Sequence, residues 1–382
     1  MISEVRYRCI ECGRRYSITP DLMLCPDCAE GGGPEEPLHG ILEVALPRLP
    51  GADAAKAYSF SFLEEEHYPP IPVGNTPLWR PERLRGEDGF PNLFLKDDTA
   101  NPTGSLKDRA SYMAAAFARK HGIRRITVAS TGNAASSMAG VGAAAGLEIR
   151  IFIPRSAPAA KRVQALQYGA EVVLVDGTYD KAFDLALEAS GDTGTLCRNT
   201  AYNPLTIEGK KSVSIEIFYQ LGTVPDYVFV PTGDGVILSG VYKGFRDLVE
   251  QGFTAGVPTV VAVQAEGSSA ICRALEAGDF TPPVPSDTLA DSISVDVPRG
   301  GYPALYNLQE YGGRCVTVSD DEILEAQHRL ARLSGLFAEP AAAASYAGFR
   351  KMVKELPSDA TAVLLVTGSG LKDIDAAAKI VG

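Results

Sequence analysis

The 382-residue sequence contains no run of about 18 or more apolar residues, the length that a membrane-spanning helix needs. No apolar segment of the kind found in signal peptides follows Met1. Basic residues are scarce, since 36 Lys and Arg stand against 47 Asp and Glu and give a formal net charge of −11. This balance disfavours binding to a phosphate backbone. We therefore expect a cytoplasmic protein with neither nucleic acid nor membrane as a partner.

Two patterns typical of other protein classes are also missing. No period of roughly 20 to 50 residues repeats, so a solenoid is excluded. No strand-like segment leads into Gly-x-Gly-x-x-Gly with an acid about 20 residues later, so a dinucleotide-binding fold has no support. The chain is long enough for two or three domains, and its 45% hydrophobic and 22% charged residues are ordinary for a globular protein.

Cysteine is concentrated near the start of the chain. Four of the seven cysteines form C-x-x-C, twelve intervening residues and C-x-x-C, namely Cys9, Cys12, Cys25 and Cys28. This spacing predicts a structural zinc ribbon, because two thiolate pairs complete a closed tetrahedral shell that leaves no position for a substrate. A ribbon that has lost its metal and a redox pair are the alternatives. The scattered Cys197, Cys272 and Cys315 are expected to be buried thiols.

From about residue 90 onward, short β-branched segments alternate with Ala-rich segments of helical period. This alternation predicts parallel sheets covered by helices on both faces. The predicted strands lie near residues 92–98, 125–130, 149–154, 171–176, 227–231, 259–266 and 362–368. The predicted helices lie near residues 105–122, 133–146, 157–169, 179–191 and 320–335.

The segment KDDTANPTGSLKDR, residues 96–109, places Lys107 at the start of one predicted helix. A lysine held in a cleft with a lowered pKa can form a Schiff base with an aldehyde cofactor. Taken alone, the segment is explained as well by a capping turn with Ser105 as N-cap and an exposed Lys107. The segment nevertheless resembles the S-x-K-D-R motif of the fold type II pyridoxal-phosphate enzymes, the tryptophan synthase β-like family, and the threonine synthases most of all.

Further segments resemble the same family, in the family's order. They are G-N-T-P-L at 74–78, S-T-G-N at 130–133, a glycine turn at 232–235 and T-G-S-G-L-K-D at 367–373. Each could be only a turn or a helix cap when taken alone. The resemblance implies that Lys107 holds pyridoxal phosphate, that Asn133 faces the cofactor's 3-oxygen and that Thr367 faces its ring nitrogen. It implies a substrate-carboxylate site of four residues, Ser130, Thr131, Gly132 and Ala134.

A phosphate cradle is expected where a predicted strand passes through the glycine turn into a helix, because free backbone N–H groups attract anions. Its N–H groups would come from Gly233, Asp234, Gly235, Val236 and Ile237. The Asp234 carboxylate would repel phosphate unless it points outward.

The segment RNTAYNPLTIEGKKS, residues 198–212, departs from the family pattern N-x-x-N-P-x-R-x-E-G. Thr206 stands where the family has an arginine for the substrate phosphate, one extra residue separates the two asparagines, and Ile237 replaces a second asparagine. An arginine fork has no equivalent substitute. Either other side chains take over phosphate binding, or the substrate carries no phosphate. The candidate replacements are Asn199, Thr200, Asn203, Lys210 and Lys211, and Thr206 itself is counted among the expected substrate-binding residues.

The resemblance implies an α/β fold type II enzyme with two three-layer α/β lobes of parallel-type sheets and an N-terminal zinc-ribbon-like module. The expected boundaries are 1–35 for the module, 101–205 for the small lobe, and 36–100 with 206–382 for the large lobe. The implied reaction converts O-phosphohomoserine and water to threonine and phosphate, in a homodimer. A β-eliminating or β-replacing enzyme, such as a serine or threonine ammonia-lyase, a diaminopropionate ammonia-lyase or a cysteate synthase-like enzyme, is the alternative, and an inactive ribbon-bearing scaffold is a second one.

Overall fold

The computed structural model describes residues 4–33, 35–53, 55–56, 60–130, 132–155, 160–177, 179–191 and 194–381. Within these ranges, three sheets form the framework, one of them antiparallel and two mainly parallel. The strands are β1 (Arg6–Cys9), β2 (Arg15–Tyr16), β3 (Leu42–Ala45), β4 (Leu78–Trp79), β5 (Leu93–Asp97), β6 (Arg125–Ala129), β7 (Glu148–Pro154), β8 (Glu171–Val175), β9 (Thr195–Cys197), β10 (Tyr227–Pro231), β11 (Thr259–Ala265), β12 (Arg314–Val318) and β13 (Ala362–Val366). The α-helices are α1 (Glu82–Asp88), α2 (Lys107–Lys120), α3 (Asn133–Ala145), α4 (Ala160–Gln167), α5 (Tyr179–Glu188), α6 (Leu205–Lys210), α7 (Ser212–Leu221), α8 (Val236–Glu250), α9 (Ala270–Ala277), α10 (Gly301–Glu310), α11 (Asp320–Ser334), α12 (Pro340–Met352) and α13 (Ile374–Val381).

The six-stranded sheet has the order β12-β11-β10-β13-β5-β4, and its pairs are parallel except for the edge pair of β4 and β5. Successive strand residues point to opposite faces of a sheet. Phe229 and Val261 accordingly pack in the core that contains buried residues of α11 and α12. The next residues, Val230 and Ala262, pack in the core that contains α7 and α8. Helices therefore cover both faces, as the alternating sequence predicts.

The four-stranded sheet has the order β8-β7-β6-β9 and is parallel throughout. Ile151 on one face packs with Met113 of α2 and Met138 of α3. Phe152 on the other face packs with Phe183 of α5. This sheet draws its strands from residues 125–197, inside the segment predicted to form the small lobe.

The antiparallel sheet has the order β2-β1-β3 and carries the N-terminal cysteines. Its third strand, β3, pairs with β1 over the register Arg6–Ala45 to Cys9–Leu42. The sheet therefore extends past residue 35, where the sequence predicts that the ribbon-like module ends. The division into lobes stays a prediction.

Two of the scattered cysteines differ from the prediction. Cys272 of α9 and Cys315 of β12 form a disulfide with a Cα–Cα distance of 5.4 Å, so the expectation of free thiols is wrong for this pair. The two residues lie 43 positions apart, and single-sequence spacing cannot reveal which cysteines meet. Cys197 is a buried free thiol, as expected. Within the described ranges, no helix combines the length and the apolar character that crossing a membrane requires.

Candidate active site

A cleft of about 410 Å³ lies where the loops after β6, β9 and β10 meet the start of α2. Ligands of open parallel sheets bind beside the carboxyl ends of the strands, because the connecting loops converge there. The segment from Ser286 to Arg299 contributes a further part of the lining. The predicted site residues that line this cleft are Lys107, Ser130, Gly132, Asn133, Ala134, Thr200, Gly233, Asp234 and Ile237. A smaller cavity shares Lys107, Asn133 and Ile237 with the cleft and is also lined by Glu339 and Thr367.

Lys107 is the first residue of α2 and lines both cavities. Its amine makes no hydrogen bond with any described residue. Burial lowers the pKa of Lys107; Asp234 and Glu339 oppose this and Arg198 adds to it. Ser105 is not the N-cap, because Leu106 holds that position, and the Ser105 hydroxyl is buried with no partner among the described residues. The Lys107 amine therefore combines a lowered pKa with the absence of a described hydrogen-bond partner, which leaves it available for chemistry.

The acidic and basic residues around Lys107 hold the start of α2 in place. The guanidinium of Arg109 donates to both carboxylate oxygens of Asp98 at 2.7 and 2.8 Å, and to Glu216 at 2.6 and 2.8 Å. Lys96 donates to the same Glu216 at 2.8 Å. These side chains are almost fully buried, so the ion pairs are shielded from water. Removing one member of such a buried network leaves its partner uncompensated.

The loop after β6 brings the predicted carboxylate-binding residues to the cleft. Ser130, Gly132, Asn133 and Ala134 all line it, and α3 begins at Asn133. The Gly132 N–H donates to the Ser130 hydroxyl at 3.2 Å. Thr131 lies outside the described residues. A helix N-terminus with free N–H groups suits a carboxylate.

Glu339 is a site residue that the sequence does not reveal. Asn133 donates its amide N–H groups to both Glu339 carboxylate oxygens, at 2.9 and 3.0 Å. Burial raises the pKa of Glu339, whereas the Asn133 hydrogen bonds and the charges of Lys107 and Lys372 lower it. In the sequence, Glu339 before Pro340 indicates only a helix start. Its contact with a residue on another sheet's loop emerges from the fold.

The glycine turn after β10 packs closely against neighbouring backbone at two positions. Gly235 has φ +89°, and a Cβ there would lie 2.4 Å from the carbonyl oxygen of Gly300. A Cβ on Gly233 would lie 2.8 Å from the Cα of Ile293. Both positions therefore require glycine. The turn leads directly into α8, whose first residue is Val236.

Asp234 does not point away from the protein, which is the orientation that phosphate binding at the turn was expected to require. Its carboxylate accepts a hydrogen bond from the Thr200 hydroxyl at 2.6 Å and from the Val236 N–H at 3.1 Å. Burial alone would raise the pKa of Asp234, but the charges of Lys210 and Lys107 lower it below the ordinary value. Two nearby lysines thus offset the negative charge beside the turn.

Three predicted substrate-binding residues do not line the cleft: Asn199, Asn203 and Thr206. All three are fully buried. Asn199 accepts from the Ala129 N–H at 2.7 Å, and Asn203 donates to the Cys197 carbonyl at 2.6 Å. The Thr206 hydroxyl donates to the Asn203 carbonyl at 2.8 Å. Their polar groups therefore stabilise the conformation of the loop after β9. In this loop, Arg198 and Thr200 are the residues that line the cleft.

The four N-terminal cysteines converge on one point. Their sulfur atoms all lie within 4.8 Å of one another, with Cys9–Cys28 at 3.8 Å and Cys12–Cys25 at 3.7 Å. Zinc–sulfur bonds of about 2.3 Å in a tetrahedron put the sulfurs about 3.8 Å apart. The cluster therefore has the donor set and the spacing of a four-thiolate zinc site.

Comparisons with known proteins point to one enzyme family. A family model described as "Pyridoxal-phosphate dependent enzyme" matches residues 71–368. The chain is 34% identical to a threonine synthase of Methanosarcina acetivorans over 374 residues, which are 96% of this chain and 92% of that protein. It is 39% identical to a threonine synthase of Halalkalibacterium halodurans over 303 residues, 78% and 83% of the two chains. Among solved structures, a threonine deaminase of T.th. superposes with a TM-score of 0.67 at 27% identity, over 78% of this chain and 92% of that one.

Proposed function

We propose, since this chain belongs to the pyridoxal-phosphate dependent enzyme family, that it is a threonine synthase. It would convert O-phosphohomoserine and water to threonine and phosphate. The observation that carries the proposal is the Lys107 amine, which has no hydrogen bond with described residues and lies in the same cleft as the glycine turn and Asn133. The similarity to threonine synthases over most of the chain supports this reaction within the family.

The residues present fit the cofactor. A half-buried amine without a described hydrogen bond is available at Lys107. A buried hydroxyl without a described partner lies two residues earlier at Ser105, and the turn at Gly233 and Gly235 has no room for a side chain. The backbone N–H groups of Gly233, Asp234, Gly235 and Ile237 would hold the cofactor's phosphate, since the Val236 N–H donates to Asp234. Thr367 would face the cofactor's ring. When bound, pyridoxal phosphate supplies an electron sink that makes protons beside the substrate amine acidic.

Lys107 would hold the cofactor covalently until substrate arrives, and its freed amine would then move protons at the substrate Cα. Burial favours this second task, since a neutral amine is the base and burial disfavours the charged form. Among the described residues that line the cleft, no other lysine is present, so Lys107 would carry out the proton transfers alone. The network of Asp98, Arg109 and Glu216 would keep Lys107 in position.

The start of α3 would orient the substrate. The backbone N–H groups of Asn133 and Ala134 and the Ser130 hydroxyl can bind the α-carboxylate, fixing which face of Cα meets Lys107. The Asn133 amide, held by Glu339, would face the cofactor's 3-oxygen. Glu339 would then act as a positioning residue.

We further infer that Cys9, Cys12, Cys25 and Cys28 bind one structural zinc ion, on the sulfur spacing alone. Four thiolates fill the coordination shell and exclude a substrate. The homodimer and the cytoplasmic location implied by the resemblance stay predictions.

A product assay tests the proposed reaction. Purified holoenzyme is incubated with O-phosphohomoserine, O-phosphoserine, threonine, serine or diaminopropionate, and products are followed by proton NMR. We expect threonine and phosphate in equal amounts from O-phosphohomoserine. Formation of ammonia and a 2-oxo acid from serine, threonine or diaminopropionate, without threonine from O-phosphohomoserine, would show a β-eliminating enzyme instead.

A further inference from the structure

The motif T-G-S-G-L-K-D at 367–373 contains a charged residue that the proposed reaction leaves without a role, Lys372. Lys372 ends the short 3₁₀ turn Gly370–Lys372, which follows β13, and it is half-buried. Thr367 of the same motif lines the smaller cavity. Burial removes water from an ammonium group, so a half-buried lysine is stable where protein groups accept its hydrogen bonds. The acceptors of Lys372 lie on α3 and α4.

One path of hydrogen bonds runs from Lys372 to the start of α3. The Lys372 ammonium donates to the Ser136 hydroxyl at 3.1 Å. That hydroxyl in turn donates to the backbone carbonyl of Asn133 at 3.3 Å. Asn133 is the first residue of α3, and Asn133 and Ala134 both line the cleft. Two successive hydrogen bonds thus connect Lys372 with the residues that would bind the substrate α-carboxylate.

A second path runs from Lys372 to the start of α2. The Lys372 ammonium donates to the side-chain oxygen of Gln164 at 2.9 Å, and the Gln164 amide donates to the Thr103 carbonyl at 3.3 Å. The Thr103 N–H donates to the Asp108 carboxylate at 2.7 Å, and the Thr103 hydroxyl donates to the same carboxylate. Asp108 follows Lys107, the first residue of α2. This path therefore ends beside the reactive amine.

Most of the groups on the two paths are shielded from water. Thr103, Asp108 and Ser136 are almost fully buried. Burial lowers the pKa of Lys372, whereas the charges of Glu339 and Asp108 raise it. Hydrogen bonds in buried surroundings are electrostatically stronger than those in water, so they hold a geometry more firmly. The two paths therefore form a fixed connection between elements that are distant in sequence.

We propose that Lys372 is a positioning residue that holds the starts of α2 and α3 at a fixed distance from each other. The inference rests on the proposed function, in which the start of α2 carries the Lys107 amine and the start of α3 binds the substrate α-carboxylate. The distance between these two sites decides where the substrate Cα lies relative to the amine. A misplacement of about 1 Å between reacting groups can slow a reaction by roughly 100-fold. Lys372 acts through Ser136 and Gln164 and needs no contact with the substrate.

Exchange of the Cα proton of L-threonine tests this role of Lys372. The holoenzyme is incubated with L-threonine in deuterated water, and proton NMR follows the loss of the Cα–H signal. Lys372→Met should slow the exchange by roughly 10- to 100-fold, because Cα is no longer aligned with Lys107. Lys372→Arg, which keeps the charge and the donors, should retain most of the rate. Lys351→Met is the matched control, because Lys351 donates to the Thr317 carbonyl at 3.0 Å, away from both cavities, and it should leave the rate unchanged.

The two paths are tested separately by Ser136→Ala and Gln164→Leu, each of which interrupts one of them and keeps Lys372. Each substitution should slow the exchange in the wild-type background. In the Lys372→Met background each should add less than about a factor of two, since residues that act through one network are not additive. Full additivity would show that Ser136 and Gln164 act independently of Lys372, which contradicts the proposal.

Cofactor affinity separates positioning from a general loss of structure. The affinity of the apoenzyme for pyridoxal phosphate should change by less than about threefold in Lys372→Met, which corresponds to less than one hydrogen bond. Retained visible absorbance shows that a variant is folded and loaded. A loaded Lys372→Met variant that exchanges the proton at the wild-type rate would overturn the proposal. A wild type that does not exchange the proton of L-threonine would overturn it as well.

The fate of the proposed function is read separately. If the wild type makes no threonine from O-phosphohomoserine but its proton exchange depends on Lys372, the synthase proposal fails and the positioning role stands. If the wild type makes threonine and Lys372→Met leaves the exchange rate, kcat and KM unchanged, the positioning role fails and the synthase proposal stands.

Discussion

At the scale of single residues, the site depends on which charged groups have partners and which do not. Asp98, Arg109 and Glu216 are paired with one another, whereas Lys107 and Lys210 make no hydrogen bond with described residues. Paired buried charges stabilise a fixed geometry, and unpaired ones are available to ligands. The sequence indicates Lys107 through its motif, but it does not distinguish these two classes, because pairing depends on contacts across the fold.

Replacing Lys107 by alanine should abolish covalent attachment of the cofactor and reduce turnover to background. Borohydride reduction followed by peptide mass spectrometry should attach one cofactor to Lys107 in the wild type and none in the variant. The Lys210→Met variant serves as a control, since it removes a neighbouring buried amine. Cofactor trapped on Lys210 instead would remove the central assignment.

The Glu216 carboxylate should make stability depend on acid pH. Burial alone would raise the pKa of Glu216, but the charges and hydrogen bonds of Arg109 and Lys96 lower it to about 2. A carboxyl group with a lowered folded pKa contributes stability that is present above its unfolded pKa of about 4.3. That contribution should be lost as the pH falls from about 4.3 toward about 2.

Urea unfolding across this pH range checks the Glu216 prediction. Glu216→Gln should be destabilised by about 3 to 5 kcal/mol at neutral pH, because Arg109 and Lys96 lose a buried counter-charge. Its unfolding free energy should then fall less steeply with acid than that of the wild type. Equal slopes in the two proteins would show that Glu216 titrates as it does in the unfolded chain.

At the scale of elements, the site is assembled by loops that leave β6, β9, β10 and β13 at their carboxyl ends. Three of these strands have long apolar sequences, and the sequence predicts them. β9 covers only Thr195–Cys197, which is too short for a periodic pattern, so the sequence does not predict it. Without this strand, the sequence gives no reason to place Arg198 at the cleft. The Asn199, Asn203 and Thr206 side chains were expected at the substrate because their segment resembles the family's phosphate-binding pattern, but in the fold their polar groups bond within the loop.

Gly235→Ala tests the turn before α8. Alanine at this position would be strained by the φ of +89°, and its Cβ would lie only 2.4 Å from the Gly300 carbonyl oxygen. We expect a loss of more than about 2 kcal/mol of stability and a clear loss of pyridoxal-phosphate affinity. Gly252→Ala is the matched control, since Gly252 has φ +84° but nothing within 4 Å of the added Cβ. It should lose about 1 to 2 kcal/mol and keep its cofactor affinity.

At the scale of the whole molecule, residues from the N-terminal part of the chain pack against the start of α8. Ile41 packs in one cluster with Ala201, Ile207 and Val236, and Ile10, Leu24 and Leu38 pack against the same cluster. The Leu38 N–H also donates to the carbonyl of Arg299, a cleft residue, at 3.0 Å. The cysteine spacing predicts the metal site, but no local sequence pattern indicates that the module contacts the turn.

Loss of the metal should therefore weaken cofactor binding as well as stability. Protein purified without added zinc should contain about one equivalent of zinc, and Cys9→Ser/Cys12→Ser should contain none. We expect this variant to unfold at lower temperature and to bind pyridoxal phosphate more weakly than the wild type. Ile10→Ala, which keeps the thiolates, should keep the zinc and lose part of the cofactor affinity through the packing alone. Unchanged cofactor affinity in both variants would show that the module does not support the turn.

The most direct measurement of the proposed reaction follows oxygen from ¹⁸O-labelled water. Elimination breaks the bond between Cγ and the ester oxygen, and water then adds at Cβ, so threonine should carry one ¹⁸O in its hydroxyl group. The released phosphate should contain no ¹⁸O, because the ester oxygen leaves with it. Mass spectrometry of both products reads the two results together. Unlabelled threonine, or labelled phosphate accompanied by homoserine, would contradict the account.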